Sequence, residues 1–313
     1  MKSFLKILFF WTLFSITQLN AEEIPYLLTA SAKGDIETVK AIIQSGGDPN
    51  TEDKDKISAL MYASRKNQVE IIEYLISQGA EVNKVENDGW TALMFAAKKD
   101  YTATVKTLLS NNADPKITDP DGWSAYGLAA TSGHYKTIDL LLKGGIDPNS
   151  RNSSGLTVLM LACKSGNVKT IEILINNGAK VELKDRYGKT ALIHAASNGN
   201  ENAVNFLLHK GAQVDTVDKS EWTALMWAIK NKNYKASKVL ILHKANVNHK
   251  DNEGTYLIHY ATHSKSLRFI KLLVDAEVNL KAKDQYGLTA LVYALKNRNK
   301  NIVDFIKNSG GKY

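Results

Sequence analysis

The chain has 313 residues, 44% of them hydrophobic and 23% charged, with only five prolines; that balance excludes a disordered polypeptide. Lys and Arg number 40 against 32 Asp and Glu, a net charge of +8, too modest an excess for a nucleic-acid binder. The lone cysteine, Cys163, excludes an internal disulfide, so stability must come from packing.

Residues 1–21 read as a secretory signal peptide. Lys2 and Lys6 make a positive start, Ile7 to Phe14 is an apolar run, and Leu19-Asn20-Ala21 precedes Glu22-Glu23, which places cleavage after Ala21. Even the stretch from Phe4 to Leu19 carries a lysine and falls short of the ~20 apolar residues a spanning helix needs. The expectation is export, to the periplasm or outside the cell, with no stable membrane insertion once the leader is removed. Without Lys2 and Lys6, 38 basic residues remain against 32 acidic ones, about +6.

From residue 22 onward one pattern recurs every 33 residues. Alanine stands at 30, 63, 96, 129, 162, 195, 228, 261 and 294. Three positions earlier lie Leu27, Leu60, Leu93, Tyr126, Leu159, Leu192, Leu225, Ile258 and Leu291. No insertion breaks the frame from Leu27 to the end.

Each unit reads as two short helices. In the third, a glycine turn leads to Thr91, whose hydroxyl can cap the amides of a helix start. Leu93, Ala96 and Ala97 then fall at helical spacing on one face. A second helix, near Thr102 to Ser110, turns Val105, Leu108 and Leu109 to the same core. It ends at the register of Gly46, Gly79, Gly145, Gly178 and Gly211, the left-handed position after a helix. A hairpin finger follows and carries an acidic register: Asp53, Glu86, Asp119, Asp185, Asp218, Asp251 and Asp284. Neither helix can bury its apolar face alone, so stacking must supply the core.

The unit G-x-T-A-L-x-x-A-A, then V-x-x-L-L, then G-A-x-x-N, resembles the ankyrin repeat across residues 22–313. That resemblance implies an all-α solenoid of about nine stacked helix pairs with short β-hairpin fingers. It further implies a protein partner, met by the fingertips and the exposed face of the first helices, which line a concave groove. One departure recurs: the family's T-P-L-H is mostly T-A-L-M here, with Met61, Met94, Met160 and Met226 in place of histidine. Only His259 keeps it, so thioether packing is expected in place of the family's histidine hydrogen bonds. The terminal units read as caps. The first begins near Ile24-Pro25 without a preceding finger. In the last, Lys307 replaces the apolar residue held elsewhere by Ile43, Ile76 and Leu109, and no additional domain is expected beyond it.

No chemistry is expected of this chain. Cys163 shares its register with Ala97, Ala130 and Ala196, a small core site, which reads as an inert thiol. The seven histidines fall at different registers, and no HExxH, paired CxxC, GxSxG, P-loop or dinucleotide fingerprint occurs. His259 and His263 stand four apart on one helix, but His259 is the repeat's structural histidine. The reading is a non-enzyme with no cofactor and no metal.

Candidate contact residues follow by register. The finger-base position reads Ile57, Trp90, Trp123, Leu156, Lys189, Trp222, Thr255 and Leu288, and tryptophan is enriched where partners bind. The same indoles could instead pack over their own hairpins. A helix row of Tyr62, Phe95, Leu128, Leu161, His194, Trp227, Tyr260 and Tyr293 should line the groove floor, half-buried. Arg65, Lys66, Lys98 and Lys99 should form a basic patch beside Trp90, able to steer an acidic partner. A module holding a protein on the Trp90–Trp123 groove, stabilising or inhibiting an exported protein, is the leading expectation. A surface adaptor for acidic lipid or polysaccharide is the alternative.

Overall fold

The computed structural model describes residues 25–313; the signal-peptide reading of residues 1–21 lies outside them. Among the described residues, eighteen helices run as nine consecutive pairs. They are α1 (Tyr26–Lys33) with α2 (Ile36–Gln44), α3 (Ala59–Ser64) with α4 (Val69–Ser77), and α5 (Ala92–Lys98) with α6 (Thr102–Ser110). Next come α7 (Ala125–Ser132) with α8 (Tyr135–Lys143), α9 (Val158–Ser165) with α10 (Val168–Asn176), and α11 (Ala191–Ser197) with α12 (Glu201–His209). The last are α13 (Ala224–Lys230) with α14 (Tyr234–Leu242), α15 (Leu257–His263) with α16 (Leu267–Asp275), and α17 (Ala290–Lys296) with α18 (Lys300–Asn308). Each first helix packs on the first helices before and after it, and each second helix on the second helices.

The helix starts are local in origin. Thr91 accepts from the Met94 N–H at 3.2 Å, and Ser58, Ser124, Thr157, Thr190 and Thr223 cap their helices in the same way. The methionine at the third helical position does more than pack. Met61 Sδ accepts the Ser58 N–H at 3.5 Å and Met160 Sδ the Thr157 N–H at 3.4 Å, while His259 Nδ1 takes the Tyr256 N–H at 3.2 Å. A weak thioether acceptor therefore stands in for the imidazole at those two helix starts.

The first helices are buried nearly all round; α5 encloses Ala92, Leu93, Met94, Ala96 and Ala97. The second helices bury one stripe, such as Ile71, Ile72 and Leu75 of α4. Cys163 is fully buried, and burial pushes its thiol far up from the ordinary range, which keeps it protonated and inert. At the end of α4, Gly79 takes φ 92°, and the Ala80 N–H returns to the Leu75 carbonyl at 2.9 Å.

The fingers are narrow hairpins closed by single bridge pairs, among them Thr118 with Ser124 and Arg151 with Thr157. The asparagine of G-A-x-x-N clips one finger to the next repeat. Asn50 accepts the Glu81 N–H at 2.8 Å and donates to the Gly79 carbonyl at 3.2 Å; Asn149 does the same with Lys180 at 2.8 Å and Gly178 at 3.1 Å. Lys307 is exposed on α18, as its register requires. Among the described residues no helix is long and apolar enough to cross a membrane.

Candidate functional site

The acidic finger register is structural. Asp185 Oδ1 accepts the Tyr187 N–H at 2.8 Å and the Lys189 N–H at 2.9 Å, closing the turn, and Asp218, Asp251 and Asp284 repeat this geometry. Asn152 fills the same place, taking the Ser154 and Leu156 N–H groups at 3.0 Å each. The second carboxylate oxygen faces the floor row nine residues later. Tyr62 donates to Asp53 at 2.8 Å, His194 Nε2 lies 2.9 Å from Asp185, and Trp227 Nε1 donates to Asp218 at 2.8 Å. Tyr260 donates to Asp251 and Tyr293 to Asp284, each at 2.5 Å.

These contacts set the protonation of the row. Burial, then the Asp53 contact, pushes Tyr62 up to about 12; the Asp284 hydrogen bond, then burial, does the same to Tyr293. For His194, burial lowers the pKa and outweighs the neighbouring Asp185 carboxylate, so the ring is a neutral donor and not half of an ion pair. Burial likewise lowers His259. With its Nδ1 holding the start of α15, His259 is committed to the fold, and among the described residues no three metal-ligating side chains converge.

The floor row changes character along the stack. Phe95, Leu128 and Leu161 offer no donor to Glu86, Asp119 and Asn152, so the middle of this face is hydrocarbon. Leu128 and Leu161 are buried, deeper than the half-buried floor the sequence implies. Trp90 and Trp123 are half-buried there. Trp90 packs against Phe95 with ring centroids 5.1 Å apart, and the Arg65 guanidinium carbon lies 5.2 Å from the Phe95 ring. Arg65, Lys66, Lys98 and Lys99 are all exposed.

Trp222 has a different environment, although it shares a register with Trp90 and Trp123. It is 8% exposed; its Nε1 donates to Asp251 at 3.1 Å, and its ring lies 4.6 Å from Tyr260 and 5.0 Å from Trp227. Lys230 Nζ covers it at 4.5 Å. This corrects the expectation of an accessible contact at Trp222: the indole packs over its own and the next hairpin. Lys189 at the same register sits 3.5 Å over the Trp227 ring, and burial there lowers its pKa.

Two residues on the exposed fingertips escaped the sequence reading. Tyr187 is 68% and Tyr286 73% exposed, each two positions past the turn-closing aspartate. Reading that tip register as a row, in the way the base register was read, would have found them.

A frame of stacked helix pairs with projecting hairpins defines a repeat solenoid. Family models for ankyrin repeats in sets of three match overlapping segments that together run through residues 27–313. The chain belongs to the ankyrin-repeat family, whose members are generally protein–protein interaction modules and typically non-catalytic. The crystal structure of the human ASB11 ankyrin repeat domain is similar in fold, with a TM-score of 0.66 at 24% identity, covering 72% of this chain and 100% of that one. No curated protein matches the sequence.

Proposed function

We propose that this chain is an exported, non-catalytic module that holds a protein partner on the face formed by its first helices and fingers, centred on Trp90 and Trp123. The observation that carries the reading is the hydrocarbon middle of the floor row. Two half-buried indoles belong to the same repeats, Arg65 lies against the Phe95 ring that Trp90 packs on, and Lys66, Lys98 and Lys99 are exposed. Large aromatics within a polar rim are the composition of a binding hot spot. Export is supported by the leader pattern of residues 1–21, and amino-terminal sequencing of the mature protein should begin at Glu22.

Trp90→Ala with Trp123→Ala should abolish co-purification of the partner from the exported fraction while the protein still melts cooperatively. Unfolding of the double variant would make the indoles structural and end the reading. Lys98→Glu with Lys99→Glu should slow association and flatten its salt dependence. Retention on acidic vesicles or polysaccharide, with no protein captured, would favour the surface adaptor instead.

A further inference from the structure

The register of the third helical position loses its side chain at one place: Leu28, Ile193, His259 and Val292 stand elsewhere in the methionine row, but only Gly127 puts nothing there. Where Met61, Met94, Met160 and Met226 fill the core at the third helical position, α7 carries Gly127, and the position before it holds Tyr126 in place of leucine. The larger ring does not refill what the glycine vacates. A hollow of about 260 Å³ remains between the third and fourth fingers, walled by Trp123, Gly127, Ile146, Leu156, Val158 and Leu161. A Cβ built on Gly127 would lie 3.3 Å from the Trp123 ring and 3.6 Å from Leu161. The Trp123 ring thus leans over the glycine, and the hollow lies beside the pair, next to Leu161. An apolar cavity of ~150 Å³ already admits benzene.

The hollow is incomplete in a specific way. At three of the equivalent helix starts the amide of the capping residue is taken by Met61 Sδ, Met160 Sδ or His259 Nδ1. Ser124, which lines the hollow, has only a hydrogen atom facing it from position 127. The Tyr126 hydroxyl, which does not line the hollow, is buried without a hydrogen-bond partner, close enough to Asp147 to feel its charge. Lys116 and Arg151 stand on the rim; the Arg151 guanidinium is fixed by the carbonyls of Gly155 and Lys184, each at 2.7 Å. Asp147 is the one acid among the lining residues.

We propose that this hollow receives one unbranched apolar side chain, of methionine's size and chemistry, from an acidic segment of the protein partner. The side chain would return from outside what the repeat lacks within. Its hydrocarbon would fill the space beside Gly127, and a sulfur would offer the acceptor that Met61 and Met160 supply to their own helices. The acidic flanks would meet Lys116, Arg151 and the cations of the preceding repeats. The inference rests on the protein-binding reading above, and assigns it a pocket and a side-chain preference.

The test uses the mature full chain and the peptide acetyl-Glu-Glu-Met-Glu-Glu-amide, followed through the Trp123 indole N–H resonance. A saturable shift is expected, roughly tenfold weaker for the peptide with alanine at the centre. Gly127→Met restores the repeat's own residue and should abolish the shift without unfolding the chain. Should Trp123 not yield the few tenths of an ångström this needs, Gly127→Ala is the second variant, expected to weaken the peptide and keep the fold. Equal binding of the two peptides, or unchanged binding by the filled variants, would overturn the proposal. A partner captured equally well by wild type and Gly127→Met would overturn the pocket and leave the protein-binding reading standing. Loss of that partner only in the Trp90/Trp123 variant would show the same.

Discussion

The middle and the carboxy-terminal parts of one face are built on the same frame and spend it differently. From α11 onward the floor row carries His194, Trp227, Tyr260 and Tyr293, each bonded to the acid nine residues before it, and Lys189 and Lys230 lie on the indoles. That stretch is closed over itself. From α5 to α9 the same row is Phe95, Leu128 and Leu161, with Trp90 and Trp123 half-buried in the same repeats and a hollow beside Gly127. A polar tip on the floor row thus decides whether the acid nine residues before it is bonded from the helix.

The sharpest way to break the comparison is at the shared tryptophan register. Trp222→Ala removes a buried ring and one of the donors to Asp251, and should cost about 3–5 kcal/mol. Trp123→Ala, half-buried and bordering a space already empty, should cost clearly less, about 1–2 kcal/mol. Urea titrations of the two variants read the difference directly, and equal losses would erase the distinction between the two stretches.

A smaller effect is expected from pH. The folded pKa of His194 lies below the ordinary value of 6.5, so above that value the ring is neutral whether the chain is folded or not. As pH falls through 6.5 the unfolded chain takes the proton first, and stability is lost until the folded pKa is reached. His259 has the same sign. His194→Gln should flatten part of this acid slope in melting temperature, whereas Phe95→Leu, in a floor position with nothing to titrate, should leave it unaltered.

The smallest effect concerns the bend after each first helix. Gly34, Gly133, Gly166 and Gly199 occupy it with φ between 74° and 82°, whereas Lys232, Lys265 and Arg298 hold φ of 61°, 56° and 52° with side chains attached. Lys265→Gly should relieve that cost and raise stability by roughly 0.5–1 kcal/mol. A fall in stability would show that the side chain itself contributes in the carboxy-terminal repeats.

The frame was legible because it is periodic: alanine every 33 residues, the capping Thr and Ser, and the glycine after each second helix report local geometry that each repeat must satisfy for itself. The acidic register was legible as a row but not as a device, since its bonds to Tyr62, His194, Trp227, Tyr260 and Tyr293 join two rows that meet only when the finger folds back over the helix. Reading both rows together, nine residues apart, would have shown it. The burial of Trp222 was out of reach for a related reason. It depends on Asp251 and Tyr260 of the following repeat, and Trp123 meets Asn152 and Leu161 at those places. The hollow at Gly127 was visible only as one glycine standing in a row of larger side chains; whether Tyr126 refilled the space is a question of shape.

The asparagine clips between fingers have a mechanical consequence. Each ties its repeat to the one immediately ahead, so the stack comes apart as a zip does, tooth by tooth from a free end. A protease or a pulling force working inward from the carboxy end meets Trp123 and Trp90 late, after several outer teeth have parted, whereas from the amino end only the Asn50 clip precedes Trp90. A grip placed there outlasts fraying at the carboxy end.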